Sequence, residues 1–222
     1  MKTSQWLGTA LLAGFVSLSI SAAQAAPVTS NPTFTSGGLT FDTFNISVTS
    51  TGQAFPNAND QVNVDLLSGA TGVQFSSGFT AQNSGFSDAA INYVVSGATA
   101  ITSVGLSFDG TFLGQAIASV TETIWADAAR TILAGRAYVS CAIAGCSLSD
   151  VVTLNGSYST LYITKDINVS AFGQGDRAQT SIITQTFNPG GPTPVPEPAT
   201  LALFGTGLAA LGLVRRRSRK AA

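Results

Sequence analysis

The sequence predicts an all-β fold, a jelly-roll-like antiparallel sandwich of two sheets with about 8 to 10 strands. Apolar and polar residues alternate in repeated short runs, for example in residues 62–66 and again in residues 104–108. Turn-forming Gly, Asn, Ser and Asp separate the runs, a pattern typical of antiparallel strands with one solvated face. A single sheet would leave these apolar faces uncovered, so two packed sheets are expected.

The chain begins with the features of a secretory signal peptide. Lys2 supplies a positive end, residues 6–20 are apolar, and Ala23-Gln24-Ala25 forms an A-x-A site. We therefore expect a signal peptidase to cleave between Ala25 and Ala26, and the remainder to be exported. The competing interpretation, a permanent N-terminal anchor, is disfavoured because the apolar run is short and small residues follow it.

The body of the chain is acidic. The whole sequence has a net charge of −1, but between Ala26 and Pro198 four basic residues face all 11 acidic ones, a net charge of −7. This balance excludes a basic surface for nucleic acid. An acidic surface rich in Ser, Thr and Gly suits a protein that must stay soluble outside the cell.

The chain has no histidine, which narrows the chemistry available to it. Ser-His-Asp and Cys-His catalysis and His-ligated zinc are excluded. Carboxylate chemistry remains, because a glycosidase needs two carboxylates about 5–9.5 Å apart. The aspartates occupy no recognisable motif, and no calcium loop, P-loop or dinucleotide-binding turn occurs. We expect no catalytic activity, no metal and no cofactor.

Two cysteines lie close together in sequence. Cys141 and Cys146 are separated by Ala-Ile-Ala-Gly, an insert compatible with a turn. In an exported protein such a pair is expected to form a disulfide across a hairpin loop. A metal site or a catalytic thiol is disfavoured, since no histidine could pair with either sulfur.

One glutamate and one lysine interrupt the apolar positions of their strands. Glu122 lies on the apolar parity of residues 116–124, and Lys165 on that of residues 161–169. Either charge would be costly to bury alone, so we hypothesise an ion pair across neighbouring strands or sheets. The alternative left open by the sequence is that both strands are edge strands whose faces reach solvent. An active-site role for the pair is disfavoured.

Aromatic residues in the predicted strands could form a sugar-binding platform. The candidates are Trp125, Tyr138, Tyr158 and Tyr162. Trp125 has the parity opposite to the apolar residues of its strand, which predicts an outward orientation. A lone exposed tryptophan is, however, more often packed under a loop than part of a ligand site.

The C-terminal region contains a linker, a short motif and an apolar segment. Five of the eight prolines lie between Pro189 and Pro198, so the linker 189–195 should be stiff and extended. Pro196-Glu197-Pro198 follows, and then residues 199–214, which carry no charge. A helix of this length covers about 24 Å, close enough to a hydrocarbon core of about 30 Å for local thinning to close the gap.

A basic cluster completes the chain. It consists of Arg215, Arg216, Arg217, Arg219 and Lys220. These cations favour a cytoplasmic C-terminus, which puts everything before Pro196 on the far side of the membrane.

Residues 196–222 closely resemble the PEP-CTERM sorting signal of Gram-negative bacteria. Proteins with this signal are substrates of exosortases, membrane-embedded cysteine transpeptidase-like enzymes. The resemblance implies that Pro196, Glu197 and Pro198 are recognition determinants, that residues 199–214 hold the protein transiently in the inner membrane, and that the basic cluster stops transfer. The processed protein would pass to the envelope or the extracellular matrix. The alternative is a plain tail anchor with a proline-rich stalk.

The expected organisation is a signal peptide (1–25), a β-sandwich domain (26–188), the linker (189–195) and the sorting signal (196–222). We expect an exported structural or adhesive protein of an exopolysaccharide or biofilm matrix, without catalysis of its own. Two alternatives remain open. One is a carbohydrate-binding module at the cell surface, and the other is a secreted carboxylate-dependent hydrolase.

Overall fold

The computed structural model describes residues 25–189, and these are almost entirely β-structure. The strands are β1 (Ala26–Pro27), β2 (Phe34–Ser36), β3 (Leu39–Phe55), β4 (Asn63–Leu66), β5 (Gly72–Phe108), β6 (Thr111–Leu113), β7 (Ala116–Trp125), β8 (Leu133–Ala142), β9 (Gly145–Ser147), β10 (Ser149–Ala171) and β11 (Arg177–Pro189). The helical segments are two 3₁₀ turns, Val28–Ser30 and Asn59–Gln61. Nearly all strand pairs are antiparallel, so the predicted all-β class is confirmed.

The predicted signal peptide, except for its last residue, and the sorting segment of residues 196–222 lie outside the described range. Within residues 25–189, no helix is long and apolar enough to cross a membrane.

The strand number and connectivity differ from the expectation. Eleven strands form one hydrogen-bonded network, where about 8 to 10 strands in two separate sheets had been expected. The cause is the length of β5, which has 37 residues and pairs with β3, β4, β10 and β11. Its first and last segments both flank β11, because Ile183 is in register with Phe75 and also with Phe108. Hydrogen bonding therefore continues through β5 and β11 from one part of the network to the other.

The core is centred on aromatic side chains of β3, β5 and β11. Phe44 stacks on Tyr93 with ring centroids 5.2 Å apart, and Phe75 packs on the same tyrosine at 5.6 Å. Phe41 contacts Phe187 at 5.5 Å. Aromatic pairs of this kind contribute about 0.5–1.5 kcal/mol each beyond the area they bury, so this cluster fixes the end of β11 against β3.

One part of the network is a run of five adjacent strands, in the order β3, β5, β10, β7 and β8. Burial alternates strictly along β7, and along most of the facing stretches of β5 and β10. The period of two read from the sequence is thus realised as one face on the core and one face on solvent. We call the solvated face of these five strands the outer face.

Candidate functional site

The outer face carries polar side chains in rows that run across the strands. Three neighbouring rows are Asn45, Asn92, Thr164, Thr123 and Arg136; Ser47, Ala90, Asp166, Thr121 and Tyr138; and Thr49, Asp88, Asn168, Ser119 and Ser140. None of these residues is buried. Because adjacent strands lie about 4.8 Å apart, five strands give a surface about 19 Å wide. The surface offers hydroxyl, amide and carboxylate groups at a regular spacing.

Aromatic residues border the same surface. Trp125 and Tyr162 are directly opposite each other in the register of β7 and β10, and both are half-buried. The indole Nε1 of Trp125 donates to Thr164 Oγ1 at 3.3 Å, and that hydroxyl donates to Asn92 Oδ1 at 3.0 Å. Tyr138 lies on the outer face with 47% of its surface exposed. Three of the four candidate aromatic residues therefore share one surface.

The fourth candidate, Tyr158, is separate from this surface. It packs against the hydrophobic core at an irregularity of β10, and its hydroxyl donates to Asn155 Oδ1. Its role is to close the β10 irregularity over the core.

Two carboxylates lie side by side on the outer face. In the strand register Asp166 lies opposite Ala90, which is two residues from Asp88 along β5. The side chains of Asp166 and Asp88 are therefore diagonal neighbours on the same face. Partial burial, and then the hydrogen bond and the charge of Asp88, raise the pKa of Asp166 to about 6. The two groups are diagonal neighbours on one sheet face and do not face each other across a cleft, so they lack the separation that a glycosidase needs for a sugar between them.

A charged cluster lies directly beneath, on the inner side of the same strands. Lys165 and Glu122 are opposite each other in the register of β10 and β7, both with 0% exposure, and Lys165 Nζ donates to Glu122 Oε2. Lys165 Nζ also donates to Gln185 Oε1 at 2.8 Å and lies 5.6 Å from the Phe75 ring centroid. The structure therefore brings the two predicted partners together. They lie on interior strands, since β7 runs between β10 and β8, and not on edge strands.

Burial dominates the electrostatics of this cluster. It raises the pKa of Glu122 above its usual value, an effect that the charge and the hydrogen bond of Lys165 offset in part. Burial likewise lowers the pKa of Lys165 against the opposing influence of Glu122. Among the described residues, Glu122 Oε1 and the Tyr93 hydroxyl are buried without a hydrogen-bond partner. Both shifts favour the neutral forms of the amine and the carboxyl.

Sequence reasoning missed Gln185, the third member of the cluster. Its amide Nε2 donates to Gly105 O at 3.1 Å, which orients the carbonyl oxygen toward Lys165. Gln185 lies between Ile183 and Phe187 on the inward parity of β11. The pattern that identified Glu122 and Lys165, a polar residue at an apolar position of its strand, was therefore present at Gln185 as well.

Cys141 and Cys146 are joined by a disulfide that links β8 to β9. Cys141 is buried and Cys146 is exposed. The bond therefore closes the tight hairpin at the end of β8, away from the charged cluster.

The remaining predicted positions fall at or beyond the limits of the described range. Ala25 is exposed, and Ala26 is the first residue of β1. The motif at 196–198, the apolar segment and the basic cluster lie outside the range. Across residues 25–189, no group of three or more acidic or cysteine side chains is placed to hold a metal.

The C-terminal region matches a known motif. Residues 194–218 match the family model described as the PEP-CTERM protein-sorting motif. The chain therefore carries the sorting signal that its sequence resembled. The motif implies an exported protein that an exosortase processes and that is sorted by way of the membrane to the cell surface.

The fold has distant likenesses among solved structures, whereas no curated protein matches the chain. TmCBM61, solved in complex with beta-1,4-galactotriose, is similar at 8% identity and a TM-score of 0.35, over 66% of this chain and 89% of that one. The enzymatically active domain of tailspike protein 4 from bacteriophage CBA120 gives 13% identity and a TM-score of 0.34, over 65% of this chain but only 19% of that one. The family 11 xylanase from Neocallimastix patriciarum gives 10% identity and a TM-score of 0.27, over 75% and 100%. Likeness at this level assigns no function.

Proposed function

We propose that this is an exported protein of the cell surface or extracellular matrix, with a structural or adhesive β domain that contacts exopolysaccharide through its outer face. The observation that carries the proposal is the sorting motif at residues 194–218. The acidic charge balance and the absence of histidine fit a binding or structural role.

The processing steps follow from the sequence. Signal peptidase cleaves between Ala25 and Ala26, so that the mature chain begins at the first residue of β1. The apolar segment 199–214 then holds the protein in the inner membrane, with the basic cluster on the cytoplasmic side. The proline-rich linker 189–195 separates the folded domain from the apolar segment in sequence, and the exosortase recognises Pro196, Glu197 and Pro198.

A carbohydrate-binding role for the outer face is the second candidate, and the aromatic residues favour it. A sugar ring has an apolar face that packs on aromatic side chains and hydroxyl groups that need hydrogen-bond partners. Trp125, Tyr162 and Tyr138 supply the first, and the rows of Asn, Thr and Asp supply the second. The adhesive and the carbohydrate-binding proposals therefore use the same surface.

Catalysis is not part of the proposal. Asp88 and Asp166 are neighbours on a solvated sheet surface. A hydrolase would need one of them to donate a proton to a glycosidic oxygen while the other attacks or activates water from a distance.

Binding of the exported protein to polysaccharides tests the proposed contact. We expect retention on an exopolysaccharide or glycan array, and about tenfold weaker binding by Trp125→Ala, since an aromatic contact contributes about 1 kcal/mol or somewhat more. Phe172→Ala is the matched control, because Phe172 is 67% exposed and lies in the turn after β10, outside the outer face. Equal loss in both variants, or no retention of the wild type on any glycan, would contradict a sugar contact at this face.

A further inference from the structure

Three side chains that can react with one another meet in the core. Lys165, Glu122 and Gln185 come from β10, β7 and β11 and are all fully buried. The amine nitrogen of Lys165 is 2.8 Å from the carbonyl oxygen of Gln185 and contacts the carboxyl of Glu122 on its other side. An amine, a carboxamide and a carboxyl group thus touch, with Phe75 beside them.

Two features of the surroundings favour a reaction that is very slow between an amine and an amide in water. A lysine in water is protonated, but burial here lowers the pKa of Lys165 and raises that of Glu122, which favours the neutral amine beside a protonated acid. Encounters in water are also brief, whereas neighbours fixed in a reactive orientation reach effective concentrations of about 10⁵–10⁸ M. The hydrogen bond from Gln185 Nε2 to Gly105 O holds the amide in place.

We propose that Lys165 and Gln185 form an intramolecular isopeptide crosslink, with Glu122 as the proton carrier. The lone pair of the neutral Lys165 Nζ attacks the side-chain carbonyl carbon Cδ of Gln185, and a C–N bond forms. The protonated Glu122 gives its proton to Nε2, and the resulting carboxylate then takes one proton from Nζ. The Cδ–Nε2 bond breaks, and ammonia leaves. One amide replaces another, so the step needs neither an oxidant nor a second substrate.

The product would stabilise the fold in a way that the ion pair does not. Lys165 belongs to the five-strand run, and β11 lies between the two ends of β5, so the new bond ties the outer-face strands covalently to the part of the network that encloses the core. The reaction also replaces the titratable amine of Lys165 by a neutral amide, so the cluster can no longer form a buried ammonium, which would be costly to desolvate. The crosslink is independent of polysaccharide binding and of tail processing.

Peptide mass analysis of the full chain, expressed in an exporting host and recovered from its final location, tests this directly. After denaturation, reduction and trypsin digestion, we expect no cleavage after Lys165, because an acylated lysine is not a trypsin site. Residues 137–177 should appear joined to the peptide that begins at Ala178, with the mass of one ammonia missing. Separate peptides 137–165 and 166–177, with Gln185 unmodified, would overturn the proposal and leave an ion pair only.

Variants test the assigned roles. Lys165→Arg and Glu122→Gln should each abolish the branched peptide, whereas Gln179→Asn, an exposed position on the same strand, should retain it. A branched peptide that persists in folded Glu122→Gln would overturn the role of Glu122. Should either variant fail to fold, the wild-type digest alone decides whether the crosslink exists.

Discussion

Lys165 and Glu122 lie against each other in the fully buried interior, although 43 residues separate them in sequence. They are opposite each other on adjacent strands, and Gln185 completes the contact from a third strand. A buried charge pair needs such extra hydrogen bonds to offset the loss of hydration. The contact therefore depends on the register of three strands, β7, β10 and β11. The coupling energy between Lys165 and Glu122 is a measure of that register.

The first prediction concerns this pair. We expect Lys165→Met and Glu122→Leu each to lower the free energy of unfolding by about 3–5 kcal/mol, because each leaves the other buried polar group without its partner. The double variant should cost less than the sum, since neither polar group then remains in the core. Urea unfolding of the four proteins gives the coupling energy. Single effects below about 1 kcal/mol that simply add would contradict an interior ion pair.

Asp109 provides a prediction at the turn before β6. Partial burial tends to raise its pKa, but hydrogen bonds from Thr180, Ile182 and Ser181 outweigh this and lower the pKa to about 2 from 3.8. The folded state thus favours the ionised form of Asp109. The stabilisation of the folded state by this carboxylate is complete above about pH 4 and is lost as the pH falls through about 2. Asp109→Ala should lower stability at neutral pH by about 1–3 kcal/mol.

The control for Asp109 is Asp60→Ala, at an exposed residue for which no side-chain hydrogen bond is found within the described range. It should leave the unfolding midpoint almost unchanged. If the stability difference between wild type and Asp109→Ala persisted undiminished at about pH 2, the carboxylate would not be its source.

For the acidic pair Asp88 and Asp166 on the outer face, we predict a pH dependence of stability opposite to that of Asp109. Partial burial and the neighbouring Asp88 raise the pKa of Asp166 from 3.8 to about 6. Folding therefore favours the protonated form of Asp166. The stabilisation that this adds to the folded state is present below about pH 4 and is lost as the pH rises through about 6. In Asp88→Asn, we expect the pKa of Asp166 to fall part of the way toward its usual value and the pH-dependent loss of stability to shrink, because the effect of partial burial remains. Carboxyl NMR titration measures this, and an unchanged pKa would rule out Asp88 as the cause.

The disulfide should matter locally. The loop closed by Cys141 and Cys146 is short, so chain entropy predicts a stabilisation of about 2 kcal/mol at most. We expect the Cys141→Ser/Cys146→Ser variant to fold with a modestly lower urea midpoint, and reduction of the wild type to have the same effect. Global unfolding on reduction would mean that the bond holds more than the β8–β9 hairpin.

The sequence carried the information for which side of each strand faces the core. Along residues 116–124 the alternation of apolar and polar residues puts Glu122 on the apolar side of its strand, and the same argument applies to Lys165, although the alternation leaves open whether that side reaches solvent. Those two predictions need only the period of two. The same alternation predicts the inward position of Gln185, but an uncharged side chain there does not by itself call for a buried partner.

The sequence does not predict how the strands are connected in the network. β5 has 37 residues, several times the usual strand length of about 3–10 residues, and its alternation gives no sign of where it curls around β11. The rows on the outer face depend on the register between β5, β10 and β7, which the hydrophobic pattern fixes in parity but not in residue number. The proximity of Asp88 and Asp166 could therefore appear only in the folded structure.

Delivery to the cell surface through the C-terminal sorting motif is the central claim, and intact-mass analysis of the protein in the envelope and medium fractions tests it most directly. The expected mass corresponds to a chain that begins at Ala26 and has lost the apolar segment and basic cluster of residues 199–222. A surface or medium form that still contains the sequence through Ala222 would contradict processing at the motif.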